Sequence, residues 1–177
     1  MTSTVYVGTS LDGFIAKKDG SIDWLAPFEN EEIGDSYRQF ISTIDAVVIG
    51  RGTFEKILMS TSWPYEKNAF LLSTSMTRVP EMLKEKVMIL SMKPKEVLSY
   101  LSGKGFSNVY VDGGKVIQGF LREDCIDELI ITRVPVLIGS GIPLFDSLDK
   151  TLEFTHVGTD VYSNGLVKSR YKRKRAQ

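Results

Sequence analysis

The sequence has little with which to build a disulfide or a metal site. Its 177 residues include one cysteine, Cys125, and one histidine, His156. An internal disulfide is excluded, and a zinc centre of the histidine–cysteine type lacks its ligands. No metal is expected. Long apolar runs are missing too. The longest stretch without a charge, Val134 to Phe145, is interrupted by Pro135, Gly139, Gly141 and Pro143, and it falls short of the roughly 20 residues that span a bilayer. No basic region precedes an apolar segment at the start, so no signal peptide is expected. The expectation is a soluble, cytoplasmic protein with no membrane partner.

Net charge is also absent, with 22 basic residues against 22 acidic ones. The balance hides an asymmetry. Six basic residues fall between Lys168 and Arg175, and every acidic residue precedes them. Such a tail suits nucleic acid or an anionic surface. Here, however, Val167, Ser169 and Tyr171 alternate with Lys168, Arg170 and Lys172, the period of a strand with a solvated face. The acidic remainder offers no wider basic face on which phosphate contacts could accumulate. Nucleic acid is not an expected partner.

What is present is ordinary globular composition, 42% hydrophobic and 25% charged, in a chain long enough for one domain with a substantial core. Strands are expected at Thr4–Thr9, Ala46–Ile49, Ala69–Leu72, Val87–Leu90 and Val109–Val111. Helices are expected at Glu31–Ile44, from Thr53 to Leu58, at Pro94–Leu101 and at Lys115–Leu121. The first carries Ile33, Tyr37, Phe40, Ile41 and Ile44 on one face. Glu128–Val134, Leu152–Val161 and Leu166–Lys172 follow as strands with little helix between them. This order predicts an α/β fold, a single mixed sheet with helices on both faces and antiparallel strands at its C-terminal end.

Two junctions share a design. Ala46–Ile49 runs into Gly50-Arg51-Gly52-Thr53 and a helix; Asn108–Val111 runs into Asp112-Gly113-Gly114-Lys115 and a helix. A strand, glycines and a helix start leave backbone N–H groups facing an anion, with the helix dipole behind them. Arg51 and Lys115 add positive charge. Neither junction is a Walker loop or a GxGxxG fingerprint. A third segment, Ser73-Thr74-Ser75-Met76-Thr77-Arg78, offers hydroxyls and an arginine, and no acid occurs between Asn68 and Pro80. A plain ribose site more often supplies an acid for the 2′-hydroxyl, so this segment favours NADPH over NADH; it also reads as an ordinary polar turn.

Taken together, these segments resemble the dihydrofolate reductase superfamily, and within it the reductase domain of the bifunctional riboflavin-biosynthesis deaminase-reductase and its stand-alone relatives. The matching pieces are Ser10-Leu11-Asp12-Gly13-Phe14-Ile15-Ala16, Ile49-Gly50-Arg51-Gly52-Thr53-Phe54-Glu55, Lys67–Ser73, Val111-Asp112-Gly113-Gly114-Lys115-Val116 and Arg133–Gly141, in the same order along most of the chain. The resemblance implies a dihydrofolate-reductase-like single domain over residues 1–177, with a central mixed sheet of about eight strands and flanking helices. It implies NADPH and a homodimer. By position, Gly50, Arg51 and Thr53 would hold the cofactor's phosphate region. Ser73 and Thr74 would lie near the 2′-phosphate, Gly113, Gly114 and Lys115 against the pyrophosphate, and Val7, Gly8 and Ile15 beside the nicotinamide.

Two departures argue against dihydrofolate as substrate. The helix carboxylate of the folate reductases falls at Gly34; its neighbour Asp35 lies nearly opposite the apolar stripe and should face water. The arginine that holds the folate's glutamate falls at Glu66, which would repel it. The reading is therefore an NADPH-dependent reductase of a small heterocycle, of the 5-amino-6-(5-phosphoribosylamino)uracil reductase type. A dihydrofolate reductase and a non-catalytic NADPH-binding protein are the alternatives. Asp12 and Asp35 are the candidate catalytic acids, although Asp12 also reads as a turn residue before Gly13. Trp24, Arg38 and Thr132 are the candidate substrate contacts.

Overall fold

The computed structural model describes residues 1–60 and 63–175. In chain order it contains β1 (Thr2–Thr9), β2 (Phe14–Ala16), a 3-10 helix at Asp23–Phe28, α1 (Glu31–Ser42), β3 (Ala46–Gly50), α2 (Arg51–Leu58) and β4 (Asn68–Leu72). A 3-10 turn at Glu81–Leu83, β5 (Val87–Leu90), α3 (Pro94–Gly103), β6 (Asn108–Asp112), α4 (Gly114–Arg122), β7 (Glu128–Arg133), β8 (Ile142–Pro143), β9 (Phe154–Val161) and β10 (Val167–Arg173) follow.

Eight strands form one sheet in the order β5-β4-β3-β6-β1-β7-β10-β9. The strands from β5 to β7 are parallel, and β10 joins β7 and β9 antiparallel. β3 shows why a parallel centre needs uninterrupted apolar sequence: Ala46, Val47, Val48 and Ile49 are each 0% exposed, because helices cover both faces. Ala46 and Val48 pack with Val97 and Leu101 of α3 and Ile117 and Phe120 of α4. Val47 and Ile49 pack on the other face with Phe54 of α2, and Phe40 and Ile41 of α1 lie against them. Each fully buried Leu or Phe contributes roughly 1.5–3 kcal/mol. The start of α1 is fixed by Asn30, whose side chain accepts from the Ile33 N–H at 2.9 Å.

Three features lie beyond what the sequence reading specified. β10 is an inner strand between β7 and β9, so β9 forms the edge. The loop after Gly139-Ser140-Gly141 enters β8, which pairs with β2 in a small separate sheet. The basic tail is not an open cationic surface. Lys168 pairs with Asp160 (3.0 Å), Arg170 and Lys172 with Glu128 (2.7 and 3.4 Å), and Arg173 with Asp124 (2.7 Å). Lys174 pairs with Glu153 (3.1 Å) and Arg175 with Asp127 (2.5 Å). The asymmetry along the chain thus closes on itself across neighbouring strands.

Candidate functional site

The two glycine junctions meet. β3 and β6 are adjacent, with Ile49 opposite Asp112, so the turns that leave them emerge side by side at the carboxyl edge of the sheet. Gly113 has φ +96°, and a Cβ there would lie 3.7 Å from the Gly50 nitrogen and overlap the Thr53 hydroxyl. Only a residue without a side chain fits, on both counts. Gly50 is the N-cap of α2 and Gly113 that of α4. Two helix starts therefore open next to each other, where an open parallel sheet commonly binds ligands.

Arg51 reaches sideways from α2 to the Ser75 hydroxyl (3.1 Å) and pairs with Glu55 (3.5 Å). This ties the segment after β4 to the first junction. Ser73 Oγ accepts from the Met76 and Ser75 N–H groups (3.0 and 3.3 Å), which shapes that turn, and Thr74 is exposed on it. Lys115 is exposed at the start of α4. Ile15 of β2 and Ile142 of β8 come so close to Gly114 that a Cβ there would meet them at 2.9 and 3.0 Å. Val7 and Gly8 lie at the end of β1, one strand over from β6, with Gly8 opposite Thr132 of β7 and Thr132 opposite Lys168 of β10. The residues assigned to the cofactor thus lie along one edge of the sheet.

The acids and substrate contacts are more scattered. Asp12 is exposed but fully engaged: it accepts from the Ser10 hydroxyl (2.5 Å) and from the N–H groups of Gly139 (2.7 Å) and Ile138 (3.3 Å). These bonds hold its carboxyl below the usual carboxylate range, and the side chain staples the β1–β2 turn to the loop before β8. Asp35 is exposed on α1 and paired with Arg38, so both point to solvent. Arg38 lies over Gly34, where a Cβ would come within 3.1 Å of its guanidinium. Trp24 is 9% exposed, packs with Val134, Tyr162 and Leu166, and its indole N–H has no partner among the described residues.

Sequence reasoning assigns no role to one acid at the junction. Asp112 ends β6 immediately before Gly113. Its Oδ1 accepts from the Gly113 N–H (2.8 Å) and its Oδ2 from the Tyr65 hydroxyl (2.8 Å). The Gly113 N–H is therefore engaged, and the N–H groups left facing outward begin at Gly114. Burial raises the Asp112 carboxyl above its ordinary range, against the lowering effect of those hydrogen bonds. Tyr37, facing it from α1, is pushed up to about 12 by burial and by the carboxylate's charge. The signal was available: a carboxylate that continues an apolar strand into a glycine pair sits where strand and ligand meet. A recess along α3, lined by Met92, Lys95, Glu96, Ser99 and Tyr100, includes none of these groups.

A mixed eight-stranded sheet with this order and these junctions is the dihydrofolate-reductase-like fold; dihydrofolate reductase from Enterococcus faecalis, complexed with NADP(H), superposes with a TM-score of 0.68 at 17% identity over 98% of this chain and 97% of that one. Within that fold, residues 2–168 match the RibD C-terminal domain, and the chain belongs to this family. A Shewanella sp. PV-4 protein provisionally assigned to riboflavin biosynthesis is 40% identical, with a TM-score of 0.94 and 99% and 100% of the two chains covered. The uncharacterized protein YwjB of Bacillus subtilis (strain 168) is 37% identical over 168 residues, 93% of this chain and 94% of the relative. Among the described residues, no helix is long and apolar enough to cross a membrane.

Proposed function

We propose that the protein is an NADPH-dependent reductase of a small heterocyclic substrate, of the 5-amino-6-(5-phosphoribosylamino)uracil reductase type in riboflavin biosynthesis. The observation that carries this reading is the contact between the two glycine junctions, with the Gly50 nitrogen 3.7 Å from where a Cβ of Gly113 would stand. The two helix starts that this contact sets side by side fit a dinucleotide's pyrophosphate. Membership of the RibD C-terminal domain family supports it.

Arg51 and Thr53 hold the phosphate region, Gly114 and Lys115 supply N–H groups and charge, and Ser73 and Thr74 receive the 2′-phosphate. Val7, Gly8 and Ile15 border the nicotinamide. When bound, the cofactor supplies a hydride to an electrophilic carbon of the substrate. Asp112 holds the proton for the nitrogen or oxygen left basic, because burial at the strand end favours its protonated form. Thr132, opposite Gly8, faces the substrate. Asp12, bound by two backbone N–H groups, fixes the loop beside it. A homodimer belongs to the same reading, and sedimentation tests it.

Titration with NADPH and NADH, read by quenching of Trp24 and Trp63, tests the cofactor. Tight NADPH with weak NADH is expected; indifference to both would end the enzymatic reading. Turnover of the ribosylaminopyrimidine phosphate, compared with dihydrofolate, then tests the substrate. Rapid reduction of dihydrofolate would favour the folate alternative despite Glu66, which is exposed ahead of β4.

A further inference from the structure

The segment Trp63-Pro64-Tyr65, ahead of β4, has no part in the cofactor site, yet one of its side chains reaches the site's acid. Tyr65 is 6% exposed, and its hydroxyl donates to Asp112 Oδ2 at 2.8 Å across the intervening strand β3. Its ring is clasped edge-on by Trp63 at 5.5 Å and by Tyr110 at 6.5 Å, and Trp63 in turn meets Phe54 of α2 at 6.0 Å. A buried ring held on two sides has one place to put its hydroxyl. The Tyr110 hydroxyl donates to the Tyr6 carbonyl at 3.0 Å and bears on the Asp112 carboxyl less than Tyr65 does.

We propose that Tyr65 is a positioning residue for Asp112: its buried phenol fixes the orientation of the carboxyl and sets how firmly that carboxyl holds its proton. The inference deepens the function proposed above and rests on Asp112 being the acid. With Oδ1 bound to the Gly113 N–H, the Tyr65 bond to Oδ2 locks the carboxyl against rotation. The ionisable groups that face Asp112 are the phenols of Tyr37 on α1, Tyr65 ahead of β4 and Tyr110 on β6. Among the described residues, no cation helps to hold its charge. The Tyr65 donor therefore has large leverage over the carboxylate form.

The test uses the full chain. A carbon-detected NMR titration follows the Asp112 carboxyl in the parent, in Tyr65→Phe and in a chain with fluorotyrosine at position 65, a stronger donor of nearly the same shape. Tyr65→Phe should move the midpoint up by about one pH unit, and fluorotyrosine should move it down. With substrate, Tyr65→Phe should lower kcat about tenfold and leave KM within about twofold, because one charge-assisted hydrogen bond is lost at the acid and none at the binding surface. Coincident midpoints in all three chains would overturn the proposal, as would parental kcat in Tyr65→Phe when Asp112→Asn is inactive. Parental turnover in Asp112→Asn would instead remove Asp112 as the acid, the reading on which the proposal stands.

Discussion

Gly113 and Thr53 share a space that holds only one side chain. The threonine hydroxyl of α2 fills the volume that a Cβ on Gly113 would take, and Gly113 has φ +96°. Gly113→Ala should therefore lower stability by about 1–3 kcal/mol through backbone strain, with further loss from the clash. It should also weaken NADPH binding at least tenfold. Gly119, inside α4, meets nothing nearer than Pro94 at 4.0 Å, so Gly119→Ala should raise stability by about 0.5–1 kcal/mol. Thermal unfolding of the two variants separates a positional requirement from a general effect of glycine.

Arg51 crosses from α2 to Ser75 at 3.1 Å, which holds the guanidinium at the opening of the first junction. Arg51→Ala should weaken NADPH binding by about 1–3 kcal/mol if it contacts phosphate. The melting temperature should hardly move, because its partner Glu55 is an exposed neighbour on the same helix. Fluorescence titration reads the first effect, and an unchanged dissociation constant would remove Arg51 from the site.

Asp124 carries a pH signature. The Arg173 guanidinium, with help from Lys150, holds its carboxyl down at about 2. The folded state thus resists protonation that the unfolded chain accepts in the ordinary carboxylate range. The stabilisation is complete above that range and is lost as pH falls toward 2. Asp124→Asn should lower stability at neutral pH and flatten the fall between about pH 4 and 2. Urea unfolding across that interval tests it; asparagine suits the backbone, where φ is +55°.

The six cations between Lys168 and Arg175 are each matched by an acid on a neighbouring segment. Retention on duplex DNA at physiological ionic strength should be undetectable. A measurable affinity with a steep salt dependence would show that these pairs open toward phosphate.

Much of this architecture could be read locally. The run from Ala46 to Ile49 announced a strand buried on both faces, and the spacing from Ile33 to Ile41 announced the covered face of α1. β2 and β8 were not legible. They are short, one contains a proline, and what seats them is contact with Gly114 and a hydrogen bond from Gln118 to the Pro143 carbonyl at 2.8 Å. The same holds for the acid of the site. Asp112 stood in plain view beside two glycines, but the Tyr65 hydroxyl that engages it comes from the far side of a strand, 47 residues earlier. Periodicity reports which face of an element is covered, whereas a hydrogen bond between distant loops leaves no periodic trace. The pairing of the basic tail was hidden for the same reason.

β1 lies between β6 and β7, with Thr2 opposite Asn108 and Thr9 opposite Arg133. The first strand to leave the ribosome therefore has no strand partner in the sheet until about three-fifths of the polypeptide has been made, and lacks its second until about three-quarters. Val5, which ends 0% exposed, spends that interval in water or against a chaperone. Parallel pairing over such separations carries a large closure entropy. Refolding should accordingly be slow and prone to aggregation in proportion to concentration, a liability of the strand order itself.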